Sequence, residues 1–269
     1  LPENDNKADL ALLIGAARDA AEVARRHVGG DLEIVEKPDG AGPVTVADMA
    51  VNAVLEDRLR TARPGYGWLS EESPDSTERL ARGAVFVVDP IDGTRSYIEG
   101  SGTWAHSIAV VRGGRVTAAV VYLPAKEKMY TARAGGGATL NGRTIRHSAR
   151  AGLTGATLLA ARPALEPANW RDGQVPPLAR HHRPSLAYRL SLVAEGRFDA
   201  MLTLRDSWEW DIAAGALILA EAGAAVSDRT GAPLLFNRPW PKMPGVLAGS
   251  WALHADLLAR LAPPDGPGQ

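Results

Sequence analysis

The apolar run Ala84-Val85-Phe86-Val87-Val88 leads directly into Asp89-Pro90-Ile91-Asp92-Gly93-Thr94, so an apolar strand delivers two carboxylates, three residues apart, to its own end. Carboxylates held this close repel each other. Unless one stays protonated, a divalent cation with oxygen ligands is the usual relief. Gly93 lets the backbone turn sharply and Thr94 can cap a following helix, whose free N–H groups would then face a phosphate. A hard-metal site beside an anion site is the chemistry this segment suggests. Taken alone, a capping pair at an Asp-Gly turn is the competing explanation.

The chain around this segment has 269 residues, 45% of them hydrophobic, enough for a sizeable core in one large domain or two closely joined subdomains. We expect the subdomains to be 1–149 and 150–269, with the seam at Ala149 to Thr154 and no long linker. Basic and acidic residues number 30 and 31 and are interspersed, which gives no electrostatic footprint for nucleic acid or an anionic membrane. A small-molecule partner is expected instead. Without cysteine there are neither disulfides nor thiolate metal sites, a composition that suits the cytosol. No apolar run approaches the ~20 residues of a membrane span, and Leu1 to Asp9 is polar rather than signal-like, so the expectation is a soluble, unprocessed, cytoplasmic chain.

Apolar residues at Leu10, Leu13, Ile14, Ala17, Ala21 and Ala24 predict an amphipathic helix from Lys7 to Val28, ended by Gly29-Gly30. A short strand is expected at Leu32 to Val35, then a loop from Lys37 to Pro43. Thr45 is the expected N-cap of a helix running to about Arg63, which places Asp48 in its first turn. Short strands follow at Gly67 to Leu69, Ala84 to Asp89, Ala105 to Arg112, Arg115 to Leu123 and Lys128 to Arg133. Gly113-Gly114 is expected to turn a hairpin. The second half predicts strands at Ala156 to Ala161 and Ala224 to Ser227 and helices at Ser185 to Glu195 and Asp211 to Ala222, with a frayed tail after Leu261. Such an antiparallel ladder does not suit a doubly wound parallel sheet, so the fold class is α+β, or layered α/β.

Asp89 to Thr94 resembles the metal-binding signature Asp-Pro-Ile/Leu-Asp-Gly-Thr of the inositol monophosphatase superfamily. Three further segments follow in that family's order: Pro43-Val44-Thr45-Val46-Ala47-Asp48, Ser70-Glu71-Glu72-Ser73 and Glu209-Trp210-Asp211-Ile212-Ala213-Ala214-Gly215. The resemblance spans roughly residues 7 to 262 and implies a five-layer αβαβα sandwich of the sugar-phosphatase type. It also implies a phosphoric monoester hydrolase that uses about two or three Mg²⁺ ions per site, is inhibited by Li⁺ and is often a homodimer.

Carried over residue by residue, the resemblance gives Glu71, Asp89, the Ile91 carbonyl, Asp92 and Asp211 as metal ligands. One Mg²⁺, held by Glu71, Asp89 and Ile91, would carry the attacking water; a second, held by Asp89, Asp92 and Asp211, would steady the leaving oxygen. Asp48, Glu71 and Thr94 are the catalytic residues implied, Asp48 accepting from a Thr94 hydroxyl that polarises the water. Asp92, Gly93, Thr94, Ser185 and Asp211 are the substrate contacts implied. Bland alternatives stand beside these: Glu71-Glu72 as a solvated pair, Asp211 as an N-cap, Asp48 as a helix stabiliser. Strand alternation favours Glu71 over Glu72. The six histidines show no metal-ligand spacing and are assigned to packing or surface. Trp208 and Trp210 flank the site, available to stack on a ring or to fill core.

For the substrate, Lys37-Pro38-Asp39-Gly40, Glu209-Trp210-Asp211 and Pro233 to Pro239 resemble the bacterial 3′(2′),5′-bisphosphate nucleotidases. Inositol 1-phosphate is next, then histidinol phosphate or fructose bisphosphate. The family's Gly-Ser-x-Ala motif appears as Pro184-Ser185-Leu186-Ala187, where proline removes an N–H. Arg180, Arg183 and Arg189 surround it, for a second phosphate or simply for solvent. A non-catalytic regulatory binder, including one for RNA machinery, is the alternative from another class. Retention of Asp48, Glu71, Asp89, Asp92, Thr94 and Asp211 speaks against it.

Overall fold

Two helices, two sheets and the way their burial patterns interlock fix the position of every acidic residue singled out above. The structure, a computed structural model, describes residues 2–38 and 42–263; Asp39, Gly40 and the tail from 264 lie outside the described residues. Helix α1 (Pro2–His27) starts five residues earlier than expected. The strand expected at Leu32 to Val35 is instead β1 (Val35–Glu36), paired antiparallel with β2 (Pro43–Val44). Helix α2 (Val46–Ala62) is capped by Thr45 as expected, and Asp48 in its first turn completes a full capping box.

A seven-stranded sheet comes next, ordered β3 (Gly67–Ser70), β4 (Val85–Asp92), β5 (Ala105–Arg112), β6 (Arg115–Leu123), β7 (Lys128–Arg133), β8 (Ala138–Leu140) and β9 (Arg143–Thr144). Only β3 and β4 run parallel; each remaining pair is antiparallel, and Arg112 pairs with Arg115 across the Gly113-Gly114 turn. Strand alternation sorts the faces. Phe86, Val88, Ile108 and Val110 pack against Leu13, Leu55 and Leu59 of α1 and α2. Val85, Val87, Ala109 and Val111 face the other way, into a second cluster.

That second cluster is the centre of the molecule. It joins one face of the large sheet to α4 (Leu186–Ala194) and α5 (Glu209–Glu221), and these in turn to Leu159, Met201, Val246 and Ala248 of another sheet. All of α4 is buried, as a helix must be when covered on both sides. Gly215 is where the two helices meet: a Cβ there would lie 2.7 Å from Leu190.

The second sheet has five strands, ordered β11 (Ala179–His181), β10 (Thr157–Ala160), β12 (Ala200–Thr203), β16 (Val246–Gly249) and β14 (Ala225–Ser227); β16 runs antiparallel to both neighbours. Two further strands, β13 (Ser207–Trp208) and β15 (Lys242–Met243), pair beside the start of α5. The outer face of the five-stranded sheet, with Leu158, Leu202 and Leu247, packs on Leu253 and Leu257 of α6 (Trp251–Arg260). Helix, sheet, helix, sheet, helix is therefore the layer order, the αβαβα arrangement expected. Strands β12 and β16 and helix α6 had no counterpart among the expected elements.

Candidate metal and active site

Asp89 shares the strand parity of Val85 and Val87, so it faces α5 across the central cluster. The register between β4 and β5 then shifts between Asp89 and Asp92. That irregularity turns Ile91 into the opposite cluster and sets Asp92 back toward α4. Leu69 lies in the central cluster too, and Glu71, two residues on and still bonded through its N–H to the Val88 carbonyl at 3.2 Å, follows the same parity. From the far half of the chain, α5 begins at Glu209, not at Asp211 as expected. Asp211 is thus a first-turn residue, with Trp208 at the cap position.

These placements bring Glu71, Asp89 and Asp211 together, with one carboxylate oxygen from each lying within 4.8 Å of the others. Asp89 is 1% exposed and its Oδ1 has no hydrogen-bond partner. Burial pushes its carboxyl well above the ordinary range, and the charges of Glu71, Asp92 and Asp211 add to it. Asp211 is raised in the same way, by burial and then by Asp92 and Glu71. A buried carboxylate oxygen without a partner, in an all-oxygen donor set, fits a hard divalent cation such as Mg²⁺.

Asp92 sits beside this trio in a different setting. Its Oδ2 accepts from the Ser185 hydroxyl at 2.6 Å and from the Ala187 N–H at 2.7 Å. Burial still lifts its carboxyl to about 6, against the pull of those two donors. The Ser185 hydroxyl also accepts from the Tyr188 N–H at 3.0 Å as the N-cap of α4. Ser185, expected as a substrate contact, is fully buried with its hydroxyl engaged on both sides.

Asp48 serves two neighbours at once. Its Oδ2 accepts from the Thr45 N–H at 2.9 Å and the Thr45 hydroxyl at 2.6 Å, which is the helix-stabilising role. Its Oδ1 is 3.3 Å from the Thr94 hydroxyl, which also lies 3.2 Å from the Ile91 carbonyl. Thr94 does not cap a helix as expected. It is the first residue of α3 (Thr94–Ile98), with Gly93 at the cap in the left-handed region at φ 97°. A Cβ on Gly93 would stand 3.3 Å from the Thr103 carbonyl, so a side chain there would be crowded as well as strained.

Glu72 does not project freely into solvent. Lys37 Nζ bridges Glu71 at 2.8 Å and Glu72 at 2.6 Å. Burial, then the Glu71 charge, lifts the Glu72 carboxyl to about 7 in spite of the ammonium. The solvated-pair alternative is thereby excluded for Glu72 as well as for Glu71.

Sequence reasoning gave His106 only a packing or surface role, missed the role of Glu209 and left Arg189 between a phosphate and solvent. His106 is fully buried, with Nδ1 2.5 Å from the Pro90 carbonyl, and burial pushes its imidazole down to about 4; a neutral ring donating to that carbonyl fits the irregular turn. Glu209, also fully buried, accepts from the N–H groups of Asn237 at 2.6 Å and Arg238 at 3.0 Å. Two sequence features that favoured a nucleotidase thus bond to each other as a loop clamp. Arg189 is not left to solvent: it is 5% exposed and reaches His182 Nε2 at 2.9 Å and the Arg183 carbonyl. Trp208 and Trp210 stack on each other at 4.6 Å, and Lys242 Nζ lies 4.0 Å from the Trp208 ring centre. Both faces of Trp208 are therefore taken.

A layered αβαβα protein with carboxylates from both halves of the chain around one buried point is the class defined by fold and site. The profile of the inositol monophosphatase family matches residues 5–263. An inositol-1-monophosphatase of Rhizobium meliloti is 36% identical over 226 residues, 80% of each chain. The Nus factor SuhB of Pseudomonas aeruginosa is also 36% identical, over 94% of this chain and 96% of its own. The crystal structure of the extragenic suppressor protein SuhB from Bartonella henselae superposes with a TM-score of 0.79 at 29% identity, covering 94% of this chain and 97% of that one. The chain belongs to the inositol monophosphatase family, whose members include phosphoric monoester hydrolases.

Proposed function

We propose that this chain is a Mg²⁺-dependent phosphatase that hydrolyses a small-molecule phosphate monoester with water as nucleophile. The observation that carries it is the partnerless Oδ1 of buried Asp89 inside the Glu71, Asp89 and Asp211 trio. Mg²⁺ held by these three, with Asp92 and the Ile91 carbonyl at the adjoining turn, would neutralise the phosphate dianion and acidify the attacking water. Asp48 keeps Oδ2 on Thr45 and turns Oδ1 to the Thr94 hydroxyl, which leaves that hydroxyl placed to orient a water and Asp48 Oδ1 placed to take a proton. Gly93 and Thr94 offer their backbone to the phosphate, at a turn whose left-handed φ favours glycine. Ser185 and the Ala187 N–H hold Asp92 in position.

The site lies between residues 1–149 and 150–269 in this proposal, Asp211 and the Asp92 donors coming from the second part. A cytoplasmic, Li⁺-sensitive homodimer is its setting. Two substrates compete. The name of the Rhizobium relative supports inositol 1-phosphate. A 3′(2′),5′-bisphosphate nucleotide loses the support of Glu209 and Asn237-Arg238, which clamp each other. The test is phosphate release from both compounds with Mg²⁺ and with EDTA. Mg²⁺-dependent release from at least one is expected, and none from either would refute the proposal. The second reading, a Nus-factor role without turnover, is favoured by the full-length similarity to the Pseudomonas protein of that name. It would be supported by binding to the transcription machinery in an Asp89→Asn variant.

A further inference from the structure

Strand β5 meets β4 at the one place where the acidic turn breaks their ladder. Asp89 pairs with Ser107 and Asp92 with Ala105, so two residues of β4, Pro90 and Ile91, stand opposite a single residue of β5, His106. That count defines a β-bulge, which interrupts the ladder and re-aims the side chains around it. Proline brings no N–H to the interruption. The Pro90 carbonyl nevertheless has a partner in the His106 ring, whose Nδ1 lies 2.5 Å away. Because a carbonyl only accepts, Nδ1 carries the proton. Burial holds the imidazole neutral, so Nε2 is left as a bare acceptor, and it has no partner.

Packing does not account for this ring. By strand parity His106 faces the same way as Ile108 and Val110, and its neighbours are aromatic: the Trp104 ring centre is 5.5 Å away and that of Tyr122 6.5 Å. An apolar side chain would fill such a nest without leaving a buried nitrogen unsatisfied, a defect that ordinarily lowers stability. What an apolar side chain cannot do is donate to the Pro90 carbonyl. That carbonyl belongs to the peptide between Pro90 and Ile91, inside the bulge that carries Asp89 at one end and Asp92 at the other. The next residue of β5, Ser107, faces the opposite way and donates to the Trp210 carbonyl at 2.8 Å, one residue before Asp211. Adjacent residues of one strand therefore fasten both carboxylate-bearing segments, His106 through the bulge and Ser107 through the first turn of α5.

We propose that His106 is a positioning residue of the cation site: its Nδ1–H fixes the Pro90-Ile91 peptide, and with it the setting of the Ile91 carbonyl and of the Asp89 and Asp92 carboxylates. This rests on the cation site of the phosphatase reading. It gives a role to a histidine that is not itself a ligand and does not touch substrate.

The test is Mn²⁺ binding, followed by electron paramagnetic resonance, in the unaltered protein and in His106→Asn, His106→Gln and His106→Leu. The amide nitrogen of asparagine is as many bonds from the backbone as histidine Nδ1, and that of glutamine as many as Nε2, so only asparagine restores the donor where Pro90 needs it. Partners that orient metal ligands are ordinarily worth about 10- to 100-fold in metal affinity, so the Leu and Gln variants should bind Mn²⁺ about tenfold or more weakly, and the Asn variant within about threefold of the unaltered protein. Urea unfolding in EDTA should find the Leu variant at least as stable as the Asn variant, which carries an amide oxygen into an apolar nest. A histidine that merely supports the fold would give Mn²⁺ affinities that follow the urea midpoints. That pattern, or an Asn variant that binds Mn²⁺ no better than the Leu variant, would overturn the proposal. Where the variants do not fold, nitrogen-15 NMR of the unaltered protein decides: a His106 ring protonated at Nδ1 and bare at Nε2 supports the proposal, and the Nε2–H tautomer overturns it. The two claims fail separately. The expected Mn²⁺ ranking without hydrolysis of any phosphate ester sinks the phosphatase reading and leaves the role of His106, whereas hydrolysis with equal Mn²⁺ affinity in all four proteins sinks the role of His106 alone.

Discussion

Replacing Ser185 with alanine separates an orienting role from a substrate-binding one. The hydroxyl makes two bonds in a fully buried setting, donating to Asp92 Oδ2 at 2.6 Å and accepting from the Tyr188 N–H at 3.0 Å. Loss of an N-cap costs about 1 kcal/mol, and loss of a hydrogen bond to a charged group about 1.5–3 kcal/mol. Because one atom makes both bonds the losses are not fully additive, so a destabilisation of about 3 kcal/mol is expected. Urea unfolding should show a lower midpoint with an unchanged slope. Asp92 would keep only the Ala187 N–H, and the Mg²⁺ concentration for half-maximal activity should rise roughly 10- to 100-fold, as for lost partners of metal ligands elsewhere. At saturating Mg²⁺ the substrate KM should move less than about twofold. Ser185→Thr, which retains the hydroxyl, should recover most of the Mg²⁺ affinity. A stable Ser185→Ala protein with unchanged Mg²⁺ dependence and a sharply raised KM would refute this reasoning and make the hydroxyl a substrate ligand.

Three further outcomes follow from the same geometry. In EDTA, Asp92 and Glu72 have carboxyls lifted to about 6 and about 7 from 3.8 and 4.5, so the folded state holds these protons more tightly than the unfolded chain. Their contribution therefore favours folding below about pH 4 and is lost as pH rises through about 7. Thermal unfolding in EDTA should show that decline, and saturating Mg²⁺ should remove it; a metal-free stability that rises over this window would contradict it. Gly93→Ala, at φ 97° with the Thr103 carbonyl 3.3 Å from the new Cβ, should cost about 1–2 kcal/mol of stability and lower kcat/KM at least tenfold, and unaltered kinetics would show that the turn does not hold the phosphate. Glu209→Gln, which weakens acceptance from the Asn237 and Arg238 N–H groups, should lose about 1–3 kcal/mol in urea unfolding while the ranking of nucleotide and inositol substrates stays the same. A tenfold change in that ranking would make Glu209 a substrate reader.

The elements legible in the sequence are those with a strong local signal. Thr45 and Asp48 announce a capping box within four residues, and the Val-rich runs on either side of Gly113-Gly114 give strands whose ends match the structure. The motifs named all three carboxylates that converge, Glu71, Asp89 and Asp211, and strand alternation served to prefer Glu71 over Glu72. The remainder was less legible. Strands β12 and β16 are buried along their whole length and so show no alternation of apolar and polar residues, whereas α6 does carry a local signal, a Ser250 N-cap followed by Leu253, Leu257 and Leu261 at four-residue spacing, that sequence reasoning passed over. The start of α5 at Glu209 is fixed by bonds to Asn237 and Arg238, far along the chain. His106 carried no signal beyond its residue type. Its role comes from the irregular pairing that exposes the Pro90 carbonyl to it.

Most direct for the central claim, that side chains distant in sequence hold one cation site, is a titration with Mn²⁺ followed by electron paramagnetic resonance in the unaltered protein and in Glu71→Gln, Asp89→Asn and Asp211→Asn. Each substitution should weaken Mn²⁺ binding at least tenfold while the protein stays folded, with Asp89→Asn the most severe because its Oδ1 has no other partner. Equal Mn²⁺ affinity in all four proteins would contradict the account.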